Sequence, residues 1–120
     1  MNKYFSIQKN NKIVFKTKGI KNFVEMDKIT HLKCEGALTT VFTNNNSDCV
    51  ISKPLKQFER DLLNFGFIRA NNNTIVNMMH VKKIQSSVNR KIYLTNDIEV
   101  KISRRKLYLF NEFVEKQEVF

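Results

Sequence analysis

No apolar run in the chain approaches the roughly 20 residues that a membrane-spanning helix needs. The N-terminus, Met1-Asn2-Lys3-Tyr4-Phe5-Ser6, lacks the long apolar segment and small-residue cleavage site of a secretory signal. Cytoplasmic residence is the expectation. Cysteine is scarce too. Cys34 and Cys49 stand outside any C-x-x-C spacing, so neither a zinc site nor a disulfide framework is indicated. With three glycines there is no phosphate-cradling glycine loop. His31 and His80 are isolated, and the carboxylates that could partner them are scattered. Asp97 and Glu99 fall in a small hairpin, where they trim charge more plausibly than they do acid–base work. The expectation is no catalysis, no metal and no cofactor. Acidic residues are also in short supply, 11 against 21 lysines and arginines.

What is present is one domain's length of chain, 120 residues at 42% hydrophobic, enough for a real core. The net charge of +10 is unevenly spread. Residues 1–28 carry seven basic and two acidic side chains, and residues 29–68 carry four of each. Residues 69–106 carry nine basic against two acidic, while 107–120 carry one against three. Two basic blocks around a neutral middle imply a positive face and a polyanion partner. A membrane surface would want a basic amphipathic helix with exposed aromatics, and none stands out.

Along the chain, residues 4–7 and 12–17 read as strands around the turn Gln8-Lys9-Asn10-Asn11. Residues 20–28 fit either a strand or a helical turn. Ile29-Thr30-His31-Leu32-Lys33-Cys34-Glu35 alternates with period two, and residues 38–43 resume as strand after Gly36. Asn44-Asn45-Asn46-Ser47-Asp48 is a turn, and a hairpin there sets Cys49 opposite Val41 rather than Cys34. Residues 52–66 read as a helix, capped by Ser52, with Pro54 in its first turn and Gly66 at C′. Strand-like residues 74–85 and the turn Ser86-Ser87-Val88-Asn89 follow. Next comes a hairpin across Asn96-Asp97, with Ile98, Val100 and Ile102 on one face. A second helix starts at Ser103, and its first turn is Arg104-Arg105-Lys106. Cations at a helix N-terminus oppose the dipole by roughly 0.3–1 kcal/mol each, so this arrangement suits an arriving anion.

The run Phe67-Ile68-Arg69-Ala70-Asn71-Asn72-Asn73-Thr74-Ile75-Val76-Asn77, followed late by Ile102-Ser103-Arg104-Arg105, resembles the LytTR DNA-binding domain of bacterial transcription regulators. The resemblance covers about residues 5–115 of a single domain spanning 1–120. It implies a mainly β fold with short helices, built of small packed antiparallel sheets. It also implies loops that enter successive major grooves of double-stranded DNA, at direct repeats and with a homodimer forming on the DNA. Only some 28 residues precede the core strand at Ile29, too few for a receiver domain. Asn71 stands where the family has a base-contacting histidine, with Asn72 and Asn73 on the adjacent polar positions. Arg105 falls on the late arginine, and Asn89 on a third contact loop. Base contact is expected from these five residues. Phosphate contact is expected from Arg69, Lys82, Lys83, Arg90, Lys91, Arg104 and Lys106. The alternative is a non-catalytic module for RNA or an acidic protein. RNA readers display stacking aromatics, and residues 69–106 hold only Tyr93.

Overall fold

Three antiparallel sheets follow from the alternating stretches of the chain. The computed structural model describes residues 5–7 and 11–117. The first sheet is β1 (Phe5–Ile7), β2 (Lys12–Thr17) and β3 (Ile20–Glu25), in that order. Of the turn expected at 8–11, residues 8–10 lie outside the described residues, and Asn11 takes the left-handed φ of 61°. The ambiguous segment 20–28 is both of its alternatives: β3, then a 3-10 turn at Met26–Lys28.

The central sheet has five strands. They are β4 (Ile29–Glu35), β5 (Leu38–Thr43), β6 (Cys49–Ile51), β7 (Phe67–Asn71) and β8 (Thr74–Asn77), ordered β6-β5-β4-β8-β7. Cys49 pairs with Val41, as the turn spacing requires, and both thiols are free. The third sheet is β9 (Val81–Gln85), β10 (Lys91–Leu94) and β11 (Glu99–Lys101), ordered β11-β10-β9.

At β8 the central sheet is buried on both sides, so the adjacent Ile75 and Val76 both lie in the core, one on each face. Leu32, Val41 and Ile75 pack with Ile13 and Phe15 of the first sheet and with Leu55, Phe58 and Leu62. Phe15 and Phe58 meet edge to face at 5.8 Å. The other face sends Ile68 and Val76 against Ile92, Val100, Ile102 and Phe110. Each such side chain contributes roughly 1.5–3 kcal/mol by leaving water. Asn77 locks the end of β8. Its amide nitrogen donates to Met26 O at 3.2 Å and Ile29 O at 2.8 Å, and its oxygen accepts from Met79 N at 3.1 Å.

Both helices differ from expectation at their starts. The segment expected as one helix over 52–66 is a 3-10 turn at Leu55–Gln57 followed by α1 (Glu59–Leu63). Phe58 interrupts it, with φ −117° and ψ −20°, and Ser52 provides no cap because Pro54 is still extended. Three buried anchors at 55, 58 and 62, rather than helix propensity, hold this short piece. Gly66 does take the left-handed φ of 81°. The final helix α2 (Leu107–Gln117) follows a 3-10 turn at Arg104–Lys106, and Ser103 makes no side-chain cap. Ile98, expected on one face with Val100 and Ile102, precedes the start of β11 and is 41% exposed, whereas Val100 and Ile102 are buried. Among the described residues, no helix is long and apolar enough to cross a membrane.

Candidate nucleic-acid interface

Strand register brings three separate loops to one end of the molecule. Lys33 pairs with Thr74, and Cys34 N donates to Asn73 O at 2.8 Å, so the β7–β8 turn sits at the Glu35 end of β4. Asn71 Nδ2 donates to Lys101 O at 2.7 Å, and Ser103 N donates to Ala70 O at 2.8 Å, which fixes the end of β11 beside that turn. Lys101 in turn pairs with Lys91, and Ile102 N donates to Arg90 O at 3.1 Å. The 86–89 turn and residues 101–106 therefore flank the asparagine turn.

The three asparagines are not equivalent. Asn71 uses both ends of its amide inside the protein, since its Oδ1 also accepts from Asn73 N at 3.0 Å. Asn72 and Asn73 form the two-residue turn and are exposed. Neither has a positive φ, unlike Asn46 of the earlier triplet with φ 61°. Left-handed tolerance thus accounts for Asn46 and gives no reason for asparagine at 72 or 73. Among the described residues, the Asn72 side chain has no hydrogen-bond partner, while Asn73 Oδ1 accepts from Thr74 at 3.0 Å.

Arg69 lies beneath this turn, and its side chain is only 18% exposed. Its Nε donates to Asn71 O at 2.9 Å and one terminal nitrogen to Asn72 O at 2.6 Å. The other terminal nitrogen is bound to the Glu59 carboxylate from α1. Glu59 also holds Lys106 Nζ at 3.8 Å. One carboxylate thereby ties the asparagine turn to the Arg104–Lys106 turn.

Arg104 and Arg105 are exposed, and among the described residues neither guanidinium has a partner. Asn89, Arg90, Lys91 and Lys101 line one shallow groove of about 550 Å³. The two remaining lysines lie elsewhere on the third sheet. Lys82 pairs with Asp97 at 3.2 Å, toward the opposite end, and Lys83 sits over the Tyr93 ring at 4.9 Å.

Two residues of this end were not singled out by sequence reasoning. Lys101 was legible in principle, because strict alternation between buried Val100 and Ile102 points it outward. Val88 gave no signal. It is 78% exposed with a φ of 33°, an outlying conformation for a β-branched residue, and Gln85 Nε2 donates to its carbonyl at 2.9 Å.

The histidines are structural. His80 Nε2 lies 2.6 Å from Asp27 O and its Nδ1 3.0 Å from Thr95 Oγ1. His31 stacks on Phe42 at 4.5 Å, and burial, assisted by the charge of Lys33, lowers its pKa from 6.5 to about 4. Burial raises the Cys49 thiol to about 11, helped by Asp48, which keeps it protonated and unreactive. Among the described residues, no group of three or more His, Cys, Asp or Glu is placed to hold a metal ion.

The family model for the LytTr DNA-binding domain matches residues 20–115. The chain belongs to that family. A solved LytTr DNA-binding domain from Bacillus cereus, of a protein described as a methyl-accepting/DNA response regulator, is similar in structure. The two share 23% identity with a TM-score of 0.71, over 87% of this chain and 96% of that one. That likeness is one of fold. No curated protein matches the chain. This LytTr domain is a DNA-binding domain, and the three clustered loops lie within the matched residues.

Proposed function

We propose that this LytTr domain, acting as a single module, binds double-stranded DNA with sequence preference and regulates transcription. Its three clustered loops enter the major groove. The observation that carries this reading is their convergence: strand register places the 72–73 turn, the 86–89 turn and Arg104–Lys106 side by side at one basic end. Asn72 offers an unengaged amide donor and acceptor, the pair that matches adenine N6 and N7, and Asn73 adds its amide donor, its oxygen being held by Thr74. Arg105 supplies a fork for guanine O6 and N7, and Asn89 a further amide. Arg104, Lys101, Arg90 and Lys91 supply phosphate contacts that give affinity without preference.

Three expectations change with the geometry. Asn71 becomes a brace rather than a reader, since both ends of its amide are engaged. Arg69 becomes the support of the turn rather than a phosphate ligand, because its donors are spent on Glu59 and two loop carbonyls. Lys82 leaves the phosphate set, and Lys83 contributes at its edge. Two copies side by side at direct repeats fit the family's habit, with dimer contacts formed on DNA. The test is duplex binding across a salt series: a steep fall in affinity with retained site preference supports the reading. Equal affinity for duplexes of every sequence would refute the sequence-specific part.

A further inference from the structure

A second cluster of lysines lies on the other core layer and is not used by the reading loops. The β2–β3 turn is Lys18-Gly19, with φ 46° and 77°, a two-residue hairpin turn at whose first position asparagine, aspartate or glycine is usual. Lys16 and Lys21 are directly opposed across the hairpin, an arrangement that like charges disfavour. Lys53, just past β6, joins them around a shallow pocket of about 280 Å³. Four lysines line that pocket and, among the described residues, no carboxylate does. Such a cluster is suited to an anion.

Its position says which anion. Thr39 pairs with Ile51, and its hydroxyl donates to Lys53 O, so Lys53 lies toward the Leu38 end of β5. Leu38 pairs with Glu35, at the same end of β4 that carries the asparagine turn. The lysine cluster and the reading loops thus share one end of the central sheet, at opposite edges, β6 and β7. Four strand spacings separate those edges, about 19 Å. At about 3.4 Å per base pair that is roughly half a helical turn of DNA.

We propose that Lys16, Lys18, Lys21 and Lys53 form a second, sequence-blind contact to the phosphate backbone of the same duplex, about half a turn outside the reading loops. This rests on the DNA-binding reading above. The experiment uses the full chain and the duplex sequence it enriches from a random pool, trimmed close to the enriched bases or extended by about 10 base pairs on either side. Wild-type affinity should rise on extension at one side only. The K16Q/K18Q/K21Q variant should lose that gain and show a salt slope shallower by about 1–3, with unchanged base preference and a melting temperature no lower than that of wild type. The triple arginine variant should keep the gain. Should the triple glutamine variant fail to fold, K18Q alone, at the exposed turn, should lose part of it. Equal gains and equal slopes for wild type and variant would overturn the inference while leaving DNA binding intact, and so would a loss of base preference in the variant. No enrichment of any duplex by wild type would instead defeat the underlying reading.

Discussion

Replacing Arg69 by alanine separates a loop brace from a phosphate ligand. The side chain makes three charge-assisted interactions, to Asn71 O, Asn72 O and the Glu59 carboxylate. Each is worth roughly 1.5–3 kcal/mol when shielded. Asn72 is exposed and Glu59 is 34% exposed, so water replaces most of two of them. The expected cost is about 2–3 kcal/mol, or on the order of 10 °C in melting temperature for a domain of this size. The turn should loosen as well, because its two carbonyls lose their anchor. Duplex binding measured over a salt series should then show weaker discrimination at the bases read by Asn72 and Asn73. The slope against salt should stay unchanged, since no phosphate contact is lost. A variant of unaltered stability whose slope falls by about 1, with base preference kept, would refute the brace and restore Arg69 as a phosphate ligand.

Three further outcomes follow from the same geometry. Val88→Gly removes a valine held at a φ of 33°, so thermal denaturation should show a gain of up to about 1 kcal/mol. If the exposed valine touches a thymine methyl group, the same variant should relax preference at one A·T position in competition binding. Arg105→Ala should lose about 1–3 kcal/mol of discrimination at a single base pair in binding to a substituted duplex series. An even loss across all sequences would make Arg105 a phosphate ligand instead. His31 stays neutral in the folded protein down to about pH 4, while the unfolded chain gains its proton near 6.5. Stability should therefore fall as the pH drops from 6.5 to 4, by about 3 kcal/mol from this residue. Denaturation of His31→Gln across that window should show a correspondingly flatter profile.

Much of the fold was legible because alternation is a local signal. The strand at 29–35 and the pairing of Cys49 with Val41 follow from period and turn spacing alone, whereas the burial of adjacent Ile75 and Val76 in two separate clusters needed the layers of the fold. The first helix was overestimated because Ser52, Pro54 and Gly66 are the right boundary residues for a longer one. The break at Phe58 is imposed by where its ring must pack. At the candidate site, the sequence marked a polar turn that is exposed in the fold, but treated its asparagines alike. What separates Asn71 from Asn72 is a carbonyl 30 residues away. What withdraws Arg69 from solvent is a carboxylate on α1 and two carbonyls of the turn it supports. Such pairings depend on register between distant segments, which composition and spacing do not encode.

The central claim is that the exposed 72–73 turn reads bases while Asn71 and Arg69 hold it in place. Selection from a random duplex pool, run in parallel with wild type and with N72A/N73A, tests it most directly. Wild type should enrich a shared sequence containing adenines, and the variant should bind with less preference at those adenines alone. The same enriched sequence from both proteins would contradict the account.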